Sequence, residues 1–254
     1  MEQEFQSKVA VITGGAMGIG LACAKAIVER GGSVVIGDID DEAGSSAAQE
    51  LGPAARFMRT DVRDMQAMEA LAATAIQYFG GIDILINNAA QAINGVVDEI
   101  DEATWQKVID INLTGYWRGM RVCVPNMRQR GGGAIINVSS VQGLIGFKGW
   151  PAYAAAKGGI NALTKQTAVD LAPAKIRVNA VAPGTIRTPL NEKLFASMDD
   201  PSELIETWNR AHPIGRFGEA HEVADLVAYL ASERASFVTG EIIRVDGGLA
   251  IRGE

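Results

Sequence analysis

Short apolar runs alternate with longer amphipathic stretches along almost the whole chain. Seven of these runs are rich in Val and Ile, which is typical of strands buried on both faces of a parallel sheet. The predicted strands are Lys8–Thr13, Ser33–Asp38, Arg56–Asp61, Ile82–Asn87, Ala134–Ser139, Arg177–Val181 and Glu241–Val245. Helical patterns separate them, at about 18–30, 41–51, 64–79, 101–130, 152–172, 191–210 and 219–231.

This alternation predicts an α/β fold of the Rossmann-like, doubly wound kind, because parallel strands need crossover connections, which helices supply. We expect a seven-stranded, mostly parallel sheet with helices on both faces. No Pro-, Ser- or Gly-rich linker divides the 254 residues. The run Gly131–Gly133 is better interpreted as a helix stop than as a hinge. A single domain is therefore predicted over 1–254.

Composition and charge narrow the class of partner. The formal net charge of −7 disfavours binding to nucleic acid or to an anionic membrane. No apolar run approaches the ~18 residues of a membrane helix, and the first residues lack the features of a signal peptide. Cys23 and Cys123 are expected to be isolated, buried thiols in a reducing compartment. A cytoplasmic location is predicted.

A glycine-rich segment directly follows the first predicted strand. Thr13 leads into Gly14, Gly18 and Gly20, and a helical pattern follows. Glycines permit a tight turn and close approach to a pyrophosphate, while the helix start offers free N–H groups. Such glycines also make turns in proteins that bind no nucleotide, but the strand before and the helix after favour nucleotide binding.

Asp38 ends the second predicted strand, where an acidic residue can accept hydrogen bonds from the adenosine ribose of NAD. Its carboxylate would also repel the 2′-phosphate of NADP. The next residue is Ile39, where an Arg would have favoured NADP. The alternative is a solvated Asp that opens a loop with Asp40 and Asp41. We predict NAD.

Tyr153 and Lys157 lie four residues apart in a predicted helix, so their side chains share one face. A Tyr base near neutral pH needs its pKa lowered by ~3 units, and a nearby ammonium favours the phenolate. Tyr-x-x-x-Lys alone is common on surface helices. Ser140, at the carboxyl end of a predicted strand, strengthens the case, although it and Ser139 can simply cap a loop.

In combination, these residues resemble the short-chain dehydrogenase/reductase family over nearly the whole chain. The matching stretches are Thr13-Gly14, Gly18, Gly20, Asp61-Val62, Asn87-Asn88-Ala89, Asn112, Ser140, Tyr153, Lys157, Pro183-Gly184 and Asp246-Gly247-Gly248. The resemblance implies hydride transfer between a secondary alcohol or ketone carbon and nicotinamide, without a metal. Ala90 departs from the pattern, since the family commonly has Gly there.

The resemblance also implies roles for individual residues. Tyr153 would exchange the substrate proton, Lys157 would lower the pKa of that tyrosine and hold the nicotinamide ribose, Ser140 would bind the substrate oxygen, and Asn112 would anchor a water relay to Lys157. The remaining implied cofactor contacts are Gly14, Met17, Gly18, Ile19, Gly20, Asp38, Asp61, Val62, Asn88, Ala89, Pro183, Gly184, Thr185, Ile186 and Thr188.

The segment from about 188 to 217 corresponds to the family's variable substrate lid. Amide and aromatic groups here and near Ser140 suit a small sugar or polyol, with Gln91, Gln142, Trp150, Asn191 and Trp208 as candidate contacts. His212 and His221 are expected to be isolated surface or loop residues. Family members are usually tetramers, so a homotetramer is expected.

Two other functions remain open from the sequence. A 3-oxoacyl-[acyl-carrier-protein] reductase shares the motifs, and Arg121, Arg128 and Arg130 could form its docking patch or merely a solvated helix face. A catalytically silent NAD-binding regulator is the second alternative. It would be expected to lack one of the four residues Asn112, Ser140, Tyr153 and Lys157.

Overall fold

The computed structural model describes residues 3–196 and 198–251, and for residues 190, 193 and 194 it describes the backbone alone. Residues 1, 2 and 252–254 of the predicted domain, and residue 197 of the predicted lid, lie outside the described residues. The strands are β1 Val9–Thr13, β2 Ser33–Asp38, β3 Ala55–Arg59, β4 Ile84–Asn87, β5 Gly133–Val138, β6 Ile176–Pro183, β7 Ile186–Arg187, β8 Gly218–Glu219 and β9 Ile242–Val245.

Seven strands form one sheet in the order β3-β2-β1-β4-β5-β6-β9, and every neighbouring pair is parallel. The predicted fold class is confirmed, and all seven predicted strands are present with small shifts of their ends. The short strands β7 and β8 pair separately and in parallel. That pair was not predicted, because two-residue strands carry no periodic signal.

Nine helices connect the strands of the described chain. They are α1 Gly18–Glu29, α2 Asp41–Leu51, α3 Met65–Phe79, α4 Glu102–Ile109, α5 Gly115–Gln129, α6 Pro151–Leu171, α7 Pro189–Ala196, α8 Ser202–Ala211 and α9 Ala220–Ala231. None of these helices is both long enough and apolar enough to span a lipid bilayer.

Two helices that were predicted to be continuous are interrupted in the structure, so these predictions were wrong. The predicted helix 101–130 contains a π-helical turn, Asp110–Thr114, which separates α4 from α5. The predicted helix 191–210 is two helices, and Pro201 stands at the N-cap of the second. A proline lacks the N–H that a continuing helix would need, so α8 begins afresh after it.

Hydrophobic cores cover both faces of the sheet. Along β1, Ile12 packs into the core beneath α1 and α9, whereas its neighbour Val11 packs into the core beneath α3 and α5. Successive strand side chains point to opposite faces, so this alternation requires apolar residues at consecutive positions. Cys23 and Cys123 are free and lie one in each core, and burial raises both thiol pKa values to about 12.

The sheet order determines where a ligand can bind. β1 lies between β2 and β4, so the chain reverses its direction of travel across the sheet at the β1–β4 boundary. Crossover loops diverge at such a switch point and leave a crevice outside the carboxyl ends of the strands. Residues after β1, β2, β4, β5 and β6 line the cavities at this edge.

Candidate active site

Two adjoining cavities open at the carboxyl edge of the sheet. The first, which we call the cofactor-side cavity, measures about 570 Å³, and its lining includes Gly14, Met17, Gly18, Asp38, Asp61 and Val62. The second, the catalytic cavity, measures about 610 Å³, and its lining includes Ser140, Tyr153 and Lys157. Both are lined by Ile19, Asn88, Ala90 and Thr188. They therefore form one cleft with two halves.

Three positions in the segment that joins β1 to α1 require glycine. Gly14 and Gly18 have positive φ angles of 64° and 55°, which side chains rarely allow. A Cβ on Gly20 would lie 2.1 Å from the Gly14 carbonyl oxygen. The loop therefore packs tightly on itself and brings its backbone and the N-terminus of α1 to the cavity. Such a cradle fits an anionic pyrophosphate.

Side chains at the start of the cleft fix this loop to β4. The Thr13 hydroxyl accepts hydrogen bonds from the backbone N–H groups of Asn88 (3.1 Å) and Ala89 (3.3 Å). The Asn88 side chain donates to the Gly14 carbonyl at 2.7 Å. Ala90, which stands where the family commonly has Gly, is not among the described residues with positive φ. Its methyl group therefore causes no backbone strain.

The Asp38 carboxylate lies above the glycine-rich loop. One of its oxygens accepts a hydrogen bond from the Ala16 N–H (3.1 Å) and the other from the Asp40 N–H (3.2 Å). Farther along the cavity, Asp61 is paired with Arg63 at 2.6 Å, and this hydrogen bond lowers the pKa of Asp61. This half of the cleft fits a dinucleotide cofactor. It combines a glycine cradle with a carboxylate at the end of β2, and the wall around them is half-buried.

Ser140 and Tyr153 lie side by side in the catalytic cavity. Ser140 follows β5 and caps a short 3₁₀ turn, Val141–Gly143, where its hydroxyl accepts the Gln142 N–H at 3.1 Å. Tyr153 is in the first turn of α6, which begins at Pro151. The Ser140 side chain forms a hydrogen bond with the Tyr153 hydroxyl that acts to lower the pKa of the tyrosine. The two predicted reactive hydroxyls are thus brought together.

Lys157 lies one turn farther along α6 and is buried, with 1% of its surface exposed. Its ammonium donates to the Val138 carbonyl (2.7 Å) and to the Tyr116 hydroxyl (3.3 Å), and it lies 5.3 Å from the centre of the Tyr153 ring. Tyr116 was not among the predicted site residues. Its position on the buried face of the amphipathic helix α5 carried no signal, since buried aromatic residues are ordinary core residues.

The acid–base pair differs from the sequence expectation in the free protein. Burial raises the pKa of Tyr153 to about 12, in spite of the opposing bond from Ser140. Burial also lowers the pKa of Lys157 to about 7. We expected the ammonium to lower the tyrosine pKa. Instead, desolvation disfavours the charged form of both groups, and the ammonium is directed towards Val138 and Tyr116.

Asn112 lies in the π-helical turn and is fully buried. Its side-chain amide donates to the carbonyls of Val108 and Gln91, both at 2.8 Å, and its oxygen accepts the Gln91 N–H at 3.3 Å. The side chain therefore joins the helix to the loop after β4. It does not line the catalytic cavity.

The side-chain amide of Asn161 links α6 to the turn that follows β5. The Ser139 hydroxyl donates to Asn161 (2.7 Å) and to the Lys157 carbonyl (3.2 Å). Asn161 in turn donates to the Gly143 carbonyl (3.1 Å). These bonds hold α6 against the 3₁₀ turn that carries Ser140. Ser140 thus caps the turn, while Ser139 joins β5 to α6. Asn161 was missed because its partners lie on other elements of the fold.

Four of the five predicted substrate contacts line the catalytic cavity: Gln142, Trp150, Asn191 and Trp208. The fifth, Gln91, lines the cofactor-side cavity instead. The Asn191 amide is held by the Ile186 carbonyl at 2.8 Å. The Gln142 side-chain oxygen is buried without a hydrogen-bond partner. Of these four side chains, Gln142 is the one that most needs a polar group from a ligand.

His212 was expected to be a surface or loop residue; it lies in the loop after α8 but is buried, with only 2% of it exposed. Its Nε2 accepts the Thr185 N–H at 3.1 Å, and its Nδ1 lies 2.8 Å from the Trp208 carbonyl oxygen. An N–H can only donate and a carbonyl can only accept, so the ring is neutral and carries its proton on Nδ1. His212 therefore joins α8 to the loop after β6. His221, by contrast, is exposed on α9.

The loop after β6 and the predicted lid form the remaining wall. Pro183, Gly184, Thr185, Ile186 and Thr188 all line the catalytic cavity. In the lid, Phe195 stacks on Phe217 at 5.9 Å, and Trp208 meets both rings edge-on at 5.7 and 6.1 Å. This aromatic cluster fixes α7 to α8 and places Trp208 in the wall of the cavity.

Comparison with known families gives a match over almost the whole chain. A family described as enoyl-(acyl carrier protein) reductase matches residues 14–250. Among solved structures, one titled "Crystal structure of gox2181" superposes with a TM-score of 0.93 at 33% identity, covering 98% of each chain.

Several curated proteins are similar over their full length. A 3-alpha-(or 20-beta)-hydroxysteroid dehydrogenase of Mycobacterium bovis is 40% identical over 98% of this chain and 91% of its own. A cis-4-hydroxycyclohexanecarboxylate dehydrogenase of Sinomonas cyclohexanicum is 43% identical over 98% of both chains. A 3-oxoacyl-[acyl-carrier-protein] reductase of Thermotoga maritima is 39% identical over 97% of this chain and 99% of its own.

Proposed function

Since the chain belongs to the short-chain dehydrogenase/reductase family, we propose that it is an NAD-dependent dehydrogenase of cyclic secondary alcohols, with Tyr153 as the acid/base. The coarser part follows from the family, whose members here are oxidoreductases acting on hydroxyl groups with a nicotinamide cofactor. The finer part, NAD and a cyclic substrate, is supported by the two halves of the cleft. The observation that carries the assignment as a dehydrogenase is that Ser140, Tyr153 and Lys157 line one cavity.

Asp38 supports NAD as the cofactor. Its carboxylate lines the cofactor-side cavity at the end of β2 and can accept hydrogen bonds from ribose hydroxyls. A 2′-phosphate there would meet a like charge, which near 4 Å costs ~4 kcal/mol at an effective dielectric of 20. Arg63, which lines the same cavity, is already paired with Asp61. The glycine-rich loop, Asn88 and Thr188 would hold the rest of the cofactor.

The proton chemistry is assigned to residues of the chain itself. When bound, NAD supplies the acceptor for the hydride from the carbinol carbon. Ser140 orients the substrate hydroxyl, and Tyr153 takes its proton. Tyr153 must be ionised to take that proton, and Lys157 is the cation that stabilises this phenolate before the transfer. Asn112 contributes by fixing the loop after β4, through its bonds to Gln91.

The cavity wall favours a ring-shaped substrate with at least one further polar group. Trp150, Trp208 and Phe147 present aromatic surface to the cavity, which can pack on the flat face of a hydrocarbon ring or a sugar ring. The unpartnered Gln142 amide would bind a second hydroxyl. The relatives that act on hydroxysteroids and hydroxycyclohexanecarboxylates support an alicyclic ring. The sugar or polyol stays a prediction within this wider class.

The acyl reductase is the second candidate, because one full-length relative carries that name. Its expected arginine patch is weakened, since Arg130 forms two 3.0 Å hydrogen bonds with Asp83 at the opposite edge of the sheet. The silent regulator is disfavoured because all four family residues are retained and three of them share the catalytic cavity. The homotetramer and the cytoplasmic location remain predictions.

A substrate panel tests the proposal. Purified protein is incubated with NAD or NADP and with cyclohexanols, cyclic diols, sugars and hydroxysteroids, and with 3-oxoacyl thioesters for the reverse reaction. We expect NADH formation from cyclic secondary alcohols and little activity with NADP. Faster reduction of 3-oxoacyl thioesters with NADPH than any alcohol oxidation would instead establish the acyl reductase.

Tyr153→Phe is the matched control for that panel, because it removes one hydroxyl and keeps the ring. Loss of acid–base catalysis is expected to lower kcat by roughly 10²–10⁴-fold, with NAD affinity preserved. Undiminished turnover in this variant would contradict the assigned role of Tyr153.

A further inference from the structure

We propose that Tyr116 is a positioning residue that holds the Lys157 ammonium in place and keeps it protonated. The inference rests on the proposed function, in which Lys157 supports Tyr153, but it concerns a residue outside that catalytic set. It starts from an arrangement of three elements. Tyr116 on α5, Val138 at the end of β5 and Lys157 on α6 meet through hydrogen bonds that share one carbonyl oxygen.

The geometry gives the phenol two simultaneous tasks. The Tyr116 hydroxyl donates to the Val138 carbonyl at 2.8 Å. Lys157 Nζ donates to the same carbonyl at 2.7 Å and to the Tyr116 oxygen at 3.3 Å. Its ammonium also lies 5.2 Å from the centre of the Tyr116 ring, within range of a cation–π contact. The phenol therefore both fills the space beside Lys157 and accepts a hydrogen bond from it.

The charge on Lys157 depends on such neutral partners. The titratable groups that face it are Tyr153, on its own helix, and Tyr116; β5 and the turn after it contribute a carbonyl and serine hydroxyls. Among the described residues no carboxylate forms an ion pair with Lys157, and Asp110 of the π-helical turn pairs instead with Arg118 at 2.8 Å. A buried ammonium without a counter-ion is retained only through its hydrogen bonds.

Loss of the Tyr116 hydroxyl would therefore disfavour the protonated form of Lys157. In the proposed oxidation, Lys157 must be protonated when Tyr153 takes the substrate proton. A lower lysine pKa means that the proton is lost at a lower pH. The descending limb of the pH–rate profile would then move to lower pH.

The direct test is an NMR titration of Lys157 in protein carrying ¹³C at the lysine ε-carbon, with the signal assigned by its absence in K157R. The wild-type midpoint is expected near 7, since burial lowers the pKa of Lys157 to about 7. In Y116F we expect it to fall by about one pH unit, the equivalent of losing one hydrogen bond to a charged group. This measurement needs no turnover, so it stands even where the proposed function fails.

Enzyme kinetics supply the second readout. In Y116F the descending limb of kcat/KM should move to lower pH by the same amount, whereas Y78F, which removes the hydroxyl of an exposed tyrosine on α3, should leave it in place. In a K157R background the limb caused by loss of the Lys157 proton should be absent with or without Y116F, because arginine stays protonated throughout. Inactivity of the wild-type protein with every alcohol would count against the proposed function alone.

The result that overturns the inference is a folded Y116F whose Lys157 midpoint equals that of the wild type. Y116F is expected to fold, since the phenyl ring fills the same space and Lys157 still donates to Val138. As a safeguard, 3-fluorotyrosine at position 116 keeps the shape and the donor but weakens the oxygen as an acceptor. It should shift the midpoint in the same direction by less, and no shift there would equally reject the role of Tyr116.

Discussion

The two halves of the cleft are built in different ways. The cofactor-side cavity is bounded by backbone turns and by short polar side chains that bond to a neighbouring loop, such as Asp38 to Ala16 and Asn88 to Gly14. The catalytic cavity depends on long or bulky side chains that are themselves buried, such as Lys157 bonded to Tyr116 and His212 bonded to Thr185.

This difference has an energetic consequence. A glycine turn satisfies its own polar groups and costs little beyond chain entropy. A lysine buried with neutral partners costs free energy whenever it is charged. The catalytic half is therefore expected to reduce the stability of the fold, while the cofactor half is not. The following substitutions test that contrast.

The largest effect is expected from Lys157→Met. The lysine pKa is depressed from 10.5 to about 7 in the folded chain, so the unfolded chain binds that proton more tightly between these values. The destabilisation is complete below the folded pKa and disappears as the pH rises towards the unfolded one. We expect K157M to raise the free energy of unfolding by roughly 3–5 kcal/mol near pH 6, although it abolishes activity.

Urea unfolding at acidic and alkaline pH measures this effect. The gain should shrink markedly in alkaline solution, because neutral lysine carries no charge to bury. Lys165→Met, on an exposed position of the same helix, should change stability little at either pH. Equal stability of K157M and wild type near pH 6 would mean that the catalytic half carries no such cost.

On the cofactor side, Asp38→Asn combined with Ile39→Arg should reverse the preference between nucleotides. Asn keeps an oxygen for the Ala16 N–H, so the loop is retained, while the repulsion of a 2′-phosphate is removed. Removing a like-charge contact of ~1–4 kcal/mol should shift the ratio of kcat/KM for NADP over NAD by roughly 10- to 10³-fold.

Steady-state kinetics with both nucleotides, together with thermal melting, check this prediction. Stability should stay near that of the wild type, in contrast to K157M. Glu42→Gln removes an equal charge from an exposed position on α2 and should not alter the ratio. An unchanged ratio in the double variant would place the determinant of cofactor choice elsewhere.

The smallest effect concerns the lid. His212→Phe keeps a planar ring but loses the bonds to Thr185 and Trp208, each worth ~1 kcal/mol. We expect the KM for the alcohol to rise about tenfold or less, with the affinity for ADP, a ligand for the cofactor-side cavity, unchanged. His221→Asn, at an exposed position, is the control. Weaker ADP binding in H212F would show that the two halves are not independent.

Much of the fold and part of the site could be predicted because their signals are local. Strands β1, β2 and β4 are continuous apolar runs, and the glycines between β1 and α1 have a conformational requirement that the sequence itself displays. Ser140, Tyr153 and Lys157 stand at spacings that bring a strand end and one helix face together. These features depend on neighbours along the chain.

The rest could not be predicted because it depends on tertiary partners. His212 has an ordinary loop context, and only the positions of Thr185 and Trp208 make it a buried acceptor. Tyr116 is indistinguishable from a core aromatic until Val138 and Lys157 lie beside it. The π-helical turn likewise has no recognisable sequence pattern, because it is stabilised by the bonds of Asn112 to Gln91 in a separate loop.

That π-helical turn sets the rotational phase of α5 relative to α4. An α-helix rotates by ~100° per residue, and a π-helical turn is in effect a one-residue insertion into it. Deleting one residue between 110 and 114 would turn α5 about its axis and carry Tyr116 away from the end of β5. When this chain is aligned with a relative, a gap at these five positions therefore means that a different face of the helix lies beneath the reactive lysine, even where every motif residue is shared.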